Sequence, residues 1–244
     1  HGCWISGARV EASGRSAVVA HNALLRCAAP GKPLRMDLRA QAIVCAARPQ
    51  GETAVIARLL TAEAGLVAAY VAGGRGRALR PVLIPGNLVD AQINGLSQAR
   101  LPFARLELLA SRGPWMREPL LAAALAWVTG LTANALPEGQ PFPALFEALS
   151  GLTEAICMAP SARGWALPLL SFEVLLLREL GYGAAQRRPA ADDWPALLDA
   201  FDRIGAALAR YPLAERRGDV MAARAILRDR LARIDGCNDR IGNA

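Results

Sequence analysis

Between Asp37 and Arg112 the apolar positions form short runs separated by glycine and proline, a pattern typical of β-strands joined by turns. The runs predict five strands, at residues 38–47, 53–61, 66–72, 87–93 and 104–110. Turns are predicted at Arg48-Pro49-Gln50-Gly51, where proline fixes φ and glycine supplies the bend, and at Asn94-Gly95. Five short strands in about 75 residues favour a small closed barrel, for which the five-stranded OB fold is the leading candidate.

From Pro114 onward the apolar positions follow the helical period instead. Helices are predicted at residues 120–135, 143–158, 168–180, 193–211 and 218–234. Asp193 is placed to cap the fourth helix, and Gly181-Tyr182-Gly183 to end the third in the left-handed conformation. The predicted fold class is therefore α+β and multi-domain: an N-terminal five-stranded OB-fold barrel (36–113), then an all-α helical domain (114–236) and a tail (237–244).

The first 35 residues have a different character, rich in alanine, glycine, serine and arginine. They lack the clean apolar core of about 7–15 residues that a secretory signal needs, and they are arginine-rich and acid-poor like a mitochondrial presequence. Met36 is the first methionine, and the strand pattern begins directly after it. We therefore expect residues 1–35 to be a disordered, non-native upstream extension and Met36 to be the native start.

The formal charge of +7 is unevenly distributed along the chain. Residues 1–35 and 36–118 each carry +4, whereas residues 119–244 carry −1, with thirteen arginines against fourteen acids. A basic first half suggests a polyanionic partner. Lysine occurs once, however, and codon usage explains an arginine bias as readily as selection for phosphate contacts.

Cysteine and histidine usage argues against a metal centre or a nucleophilic enzyme. The five cysteines are scattered without a C-x-x-C pair, and both histidines, His1 and His21, precede the first strand. We expect no metal, no cofactor and a reducing, cytoplasmic compartment. The densest apolar stretch, residues 167–180, already contains Glu173, Arg178 and Glu179, so no membrane span is expected.

The stretch YVAGGRGRALRPVLIPGN, residues 70–87, is the strongest candidate for a ligand site. It lacks the lysine of a phosphate-binding P-loop, and Leu79 stands where a dinucleotide fingerprint needs glycine. An arginine-bearing loop between barrel strands remains, with Arg75, Arg77 and Arg80 able to contact a polyanion. Composition alone leaves DNA contact and plain surface charge open, and Tyr70 is either a barrel residue or a base platform.

Several segments together resemble one known family. RPQGET at residues 48–53, LTAEAG at 60–65 and AGGRGRALRPVLIP at 72–85 resemble the N-terminal domain of the RecO family of bacterial DNA repair proteins. FEVLLLRELGYG, residues 172–183, resembles the helical-domain signature of that family. The pieces occur in the family's order over most of residues 36–235.

The resemblance implies a recombination mediator that catalyses no reaction. Such proteins bind single- and double-stranded DNA, anneal complementary strands, contact the C-terminal tail of single-strand binding protein, and act with RecR to help load RecA. Carried onto this chain, the resemblance implies DNA contacts by the loop arginines and, more weakly, by Arg39 and Arg48. For the partner tail it leaves Arg163 and Arg178 as candidates, beside Phe172, although the helical stripe of Phe172, Leu175, Leu176 and Leu180 is equally typical of core.

Two alternatives compete with the mediator interpretation. An enzyme would have to use carboxylates such as Asp192-Asp193, which capping of a helix explains without chemistry. A protein-interaction module would bind partners through the barrel without intrinsic DNA binding, its net charge being incidental. Family members that bind zinc insert cysteines after Gly-Tyr-Gly, and this chain does not, so zinc is expected to be absent.

Overall fold

A computed structural model describes residues 36–96, 101–183, 189–190, 193–214 and 217–238. These ranges form five strands, a short 3₁₀ helix and five α-helices within one compact unit. The strands are β1 Met36–Gln50, β2 Ala54–Thr61, β3 Gly65–Val71, β4 Leu88–Leu96 and β5 Phe103–Ala110. The 3₁₀ helix Gly113–Arg117 leads into α1 Pro119–Ala135, α2 Pro143–Met158, α3 Arg163–Glu179, α4 Trp194–Arg210 and α5 Arg217–Asn238.

The strands close into a barrel in the order β1-β2-β3-β5-β4. β1 is antiparallel to both β2 and β4, and a parallel pairing of Tyr70 with Phe103 joins β3 to β5 and closes the ring. Alternate side chains fill the interior, among them Val44, Ala57, Leu59, Val89 and Ile93, all fully buried. The predicted OB-type barrel followed by helices is confirmed.

One face of the barrel is shared with the helices. The register of β1 shifts between Val44 and Ala46, so two consecutive residues, Cys45 and Ala46, turn away from the barrel interior. With Ile43, Leu60 and Leu66 they pack into the core of the helical half. That core is built around the buried aromatic side chains Trp127, Trp165, Trp194 and Phe201. Among the described helices, none combines the length and apolarity needed to cross a bilayer.

Two strand boundaries differ from the prediction. β1 continues through Arg48 and Pro49 to Gln50, and the turn is Gly51-Glu52-Thr53. Pro49 is tolerated because β4 pairs with β1 only as far as Ile43, which leaves the proline with a strand neighbour on one side. Asn94-Gly95, predicted as a turn, lies within β4: Asn94 pairs with Phe103, and Gly95 has φ 79° and donates its N–H to the Asp37 carboxylate.

The helix boundaries differ in two places as well. α3 begins at Arg163, five residues before the predicted start, and includes Pro168. Pro168 is the sixth residue of α3 and has no N–H to donate to the Gly164 carbonyl, so the helix lacks one backbone hydrogen bond there. The same segment buries Trp165, Ala166 and Leu169. α5 continues to Asn238, into the predicted tail. The extension at residues 1–35 and the end of the tail, 239–244, lie outside the described residues.

Candidate nucleic-acid interface

The loop between β3 and β4, residues 72–87, is a sequence of tight turns held against the barrel. Its backbone bonds include Gly76 N–H to Gly73 O at 2.8 Å, Arg80 N–H to Gly76 O at 3.0 Å and Leu83 N–H to Leu79 O at 3.0 Å. Arg75 N–H donates to Thr53 O at 3.0 Å and so joins this loop to the β1–β2 turn. The arginines therefore extend from an ordered frame.

Gly74 explains why the loop can lie so close to the barrel. It is buried, and a Cβ added there would come within 2.8 Å of the Val55 Cβ on β2. Any larger residue would push the loop away from the strand.

Two of the three loop arginines, Arg75 and Arg80, border an open depression at this end of the barrel. Arg75, Arg77 and Arg80 are exposed, and within the described ranges none forms an ion pair with a carboxylate. Arg75 donates to Gly51 O at 3.1 Å, which steadies its side chain without neutralising it. The depression has a volume of about 440 Å³, and Arg75 and Arg80 border an otherwise mostly apolar lining of Ala47, Pro49, Val55, Gly74 and Leu83.

The far end of the loop is held by Asn87, a residue that the sequence pattern did not single out. Its Nδ2 donates to Pro81 O at 2.7 Å and to Val82 O at 3.0 Å, and its Oδ1 accepts the N–H of Arg112 at 2.7 Å. Arg112 opens the connection to the helices, and the side chain of Asn87 is fully buried. One amide thus ties the arginine loop to the start of the helical half.

The two further candidates on β1 lie in different surroundings. Arg48 is exposed close to the loop, whereas Arg39 is nine residues away, about 30 Å along an extended strand. Arg39 donates from Nε at 3.0 Å and Nη2 at 2.7 Å to Asp90 on β4, and this pairing raises the pKa of its guanidinium. Its charge is therefore partly neutralised, and it is separate from the loop cluster.

The outer barrel face beside the loop carries an aromatic pair. The ring centroids of Tyr70 and Phe103 are 5.3 Å apart with their planes at 73°, an edge-to-face arrangement. Phe103 is 61% exposed. Phe103 was not among the predicted site residues, because the predicted strand began at Ala104. The sequence signal for it is Leu101-Pro102-Phe103, an apolar segment directly before an alternating strand.

The structure separates the residues that were candidates for a partner's tail. Arg163 begins α3 and Arg178 is near its end, about 22 Å apart by helical rise. Arg163 lies over the Trp194 ring at 5.1 Å, and Arg178 contacts its neighbour Glu179 at 3.6 Å. Phe172 is in the helical core, only 2% exposed, so it offers no accessible surface to a peptide. The three do not form one site.

The helical core contains a buried ion pair that the sequence did not reveal. Glu173 on α3 accepts from Trp127 Nε1 at 2.7 Å and from Arg224 Nη2 at 3.0 Å, while Arg224 also donates to Phe201 O at 2.6 Å. Burial raises the pKa of the Glu173 carboxyl, against the opposing effect of the Arg224 guanidinium and the Trp127 indole. The cluster joins α1, α3, α4 and α5 and has a structural role.

The groups considered for chemistry are accounted for in structural terms. Asp193 accepts the N–H of Ala196 at 2.9 Å, which confirms it as the N-cap of α4; Asp192 lies outside the described residues. Cys45 and Cys157 are free and buried. In the part of the chain that the structure describes, no group of three or more His, Cys, Asp or Glu side chains is placed to hold a metal ion.

Comparison with known proteins agrees with this arrangement. A family model described as the N-terminal part of recombination protein O matches residues 36–112, and one for its C-terminal part matches residues 116–210. The DNA repair protein RecO of Rhodospirillum centenum is 40% identical over 149 residues, which are 61% of this chain and 58% of that protein. RecO of Gluconacetobacter diazotrophicus is 36% identical over 151 residues, 61% of this chain and 59% of that protein. RecO of Caulobacter sp. strain K31 is 34% identical over 181 residues, 72% of each. The match thus spans about three fifths of the first two relatives.

Proposed function

The chain belongs to the RecO family of DNA repair proteins, and from this membership we propose that it binds single- and double-stranded DNA through the arginine loop. The observation that supports the proposal most is the exposure and lack of charge neutralisation of Arg75, Arg77 and Arg80. They are exposed, have no carboxylate partner among the described residues, and stand on a loop that backbone bonds hold to the barrel. Guanidinium groups held in this way attract phosphates and release counterions from the strand.

The wider role that we propose is that of a recombination mediator. The protein anneals complementary strands and, with RecR, helps load RecA onto DNA coated by single-strand binding protein. It acts by binding alone, in the bacterial cytoplasm at the nucleoid. The net positive charge is confined to the first half of the chain, which supports a model in which the barrel binds DNA and the near-neutral helices bind protein partners.

We propose that the C-terminal tail of single-strand binding protein docks on the helical half. Its terminal carboxylate pairs with Arg163 or with Arg178, since the two are too far apart to share it. Separate Arg163→Ala and Arg178→Ala variants, titrated with a labelled tail peptide, identify which arginine is used. Equal affinity of both variants and the unaltered protein would place the tail elsewhere.

The DNA proposal is tested by fluorescence anisotropy with a labelled single strand, titrated at several salt concentrations. The R75A/R77A/R80A variant is expected to bind the single strand at least about tenfold more weakly. Loss of even one hydrogen bond to a charged group costs ~1.5 kcal/mol, which corresponds to about a tenfold change in affinity. Its slope of log affinity against log salt should be smaller by about 2, because three phosphate contacts are lost.

A matched control removes the same amount of charge elsewhere. Arg203, Arg210 and Arg233 are exposed on α4 and α5, and R203A/R210A/R233A lowers the net charge equally. This control variant should retain most of the affinity for the single strand and most of the slope of log affinity against log salt. If both variants lost the same amount of DNA affinity, the loss would be due to net charge, and the loop would not be the binding site. Absence of binding by the unaltered protein at low salt would favour a protein-interaction barrel without intrinsic DNA binding.

A further inference from the structure

The Tyr70 and Phe103 pair lies on a continuous row of side chains across the outer face of the barrel. In the strand register Arg48 is opposite Ile56, Ile56 is opposite Tyr70, and Tyr70 is opposite Phe103. Directly paired residues point to the same face, and adjacent strands are about 4.8 Å apart. The row is therefore about 14 Å long, with an arginine at one end and an exposed phenyl ring at the other.

This row is next to the arginine loop and is not covered by the helices. Tyr70 is two residues before the loop begins at Ala72, and Arg48 is three before Gly51, whose carbonyl accepts from Arg75. The helical half reaches β3 at Leu66, where Gly139 N–H donates to Leu66 O at 3.0 Å. Leu66 is four residues from Tyr70, about 13 Å along the strand. At the aromatic pair Phe103 is exposed to solvent and Tyr70 is half-buried.

The charges around the pair identify the kind of molecule that would cover it. The side chain of Arg48 makes no hydrogen bond or ion pair with another described residue, and the same holds for the side chains of Arg77 and Arg80. An aromatic surface beside unneutralised guanidinium groups suits a chain that carries flat rings and negative charges at regular intervals. A neutral apolar peptide would leave those charges without partners.

We propose that Tyr70 and Phe103 form a base-stacking platform for single-stranded nucleic acid, with Arg48 and the loop arginines on its phosphates. The proposal deepens the DNA-binding function and rests on it. Tyr70 supports Phe103 from the side by edge contact, and Phe103 presents its ring to an unpaired base. A duplex keeps its bases stacked inside, so the platform distinguishes single strands from double strands.

The test compares Phe103→Leu with the unaltered protein on two strands of equal length, one with bases and one abasic. Leucine keeps the apolar bulk and removes the aromatic face. We expect Phe103→Leu to bind the base-containing strand about 5- to 150-fold more weakly, and the abasic strand equally well. The salt dependence should be unchanged because the phosphate contacts remain. Phe103→Trp should retain the affinity.

Leu109→Ala is the matched control. Leu109 is 50% exposed on the same outer face of β5, six residues and about 20 Å from Phe103, so its removal should leave both affinities unchanged.

The outcomes separate this proposal from the one on which it depends. Unchanged binding by Phe103→Leu, together with the expected loss in R75A/R77A/R80A, overturns the platform and leaves the arginine loop standing. Equal weakening on both strands also overturns it, because a disturbed loop rather than a lost base contact would then be responsible. No binding of either strand by the unaltered protein overturns both proposals.

Discussion

At the scale of single residues, the role of each arginine depends on its partner. Arg39 is paired with Asp90 and Arg58 with Glu138 at 2.7 Å, which leaves neither with a full unbalanced charge. Arg75, Arg77 and Arg80 carry the same group without a carboxylate among the described residues. Sequence spacing could not separate these cases, because Asp90 is 51 positions from Arg39.

Asn87 supports the first residue-scale prediction. Asn87→Ala removes three hydrogen bonds and leaves the N–H of Arg112 and the carbonyl of Val82 buried without partners. We expect the free energy of unfolding to fall by about 2–4 kcal/mol, measured by urea denaturation. The loop should also become less ordered, with a weaker affinity for single strands.

The control for this variant is Asn94→Ala, an exposed asparagine on β4. Its effect on stability should stay within about 0.5 kcal/mol. If Asn87→Ala changed the free energy of unfolding as little as this control, the hydrogen bonds of the Asn87 side chain would not be what holds the loop.

At the scale of elements, pattern and propensity located each strand and helix but not its ends. The β1 prediction ended before Arg48 because proline marks turns in general, yet at Pro49 the strand has a partner on one side only. The α3 prediction began at Pro168 because proline favours first turns, yet burial of Trp165 and Ala166 extends the helix upstream. Tertiary burial decided both boundaries.

Gly205 provides a prediction at the element scale. A Cβ on this α4 residue would collide with the guanidinium of Arg224, which Glu173 and the Phe201 carbonyl hold in place between α3 and α4. Gly205→Ala is therefore expected to lower the free energy of unfolding by about 2–4 kcal/mol, by overpacking and by disturbing a buried ion pair. Thermal or urea unfolding measures the change.

Gly151 is the matched control, an exposed glycine inside α2 with open space where a Cβ would lie. Gly151→Ala should stabilise the protein by about 0.5–1 kcal/mol, because alanine has the higher helix propensity. A stabilising effect of Gly205→Ala as well would mean that Arg224 moves aside without cost.

At the scale of the whole molecule, the barrel and the helices share a hydrophobic core. Ile43, Cys45, Leu60 and Leu66 belong to strands by sequence, yet they pack among the helices. Separating the halves would expose these residues together with the helical side chains that they cover. We infer that the two halves stabilise each other.

Cysteine reactivity tests this inference. Burial raises the pKa of the Cys45 thiol to about 12, and burial also raises the pKa of Cys157 in α2, so both should resist alkylation in the folded protein. During urea denaturation, alkylation followed by mass spectrometry should find both cysteines becoming reactive at one midpoint, which far-ultraviolet circular dichroism shares. Reaction of Cys45 at lower urea than Cys157 would show that the interface opens first.

The sequence by itself determined the order of strands and helices, the arginine loop and the family. These properties are local: hydrophobic period, turn residues and short motifs are contained within a few neighbouring positions. Only the tertiary structure decided which arginines are neutralised by a carboxylate and that Phe172 lies in the core. It also decided that Phe103 contacts Tyr70 and that Glu173 pairs with Arg224. Closure of the barrel and packing of the helices bring these distant residues together, and the same local pattern is compatible with many pairings of that kind.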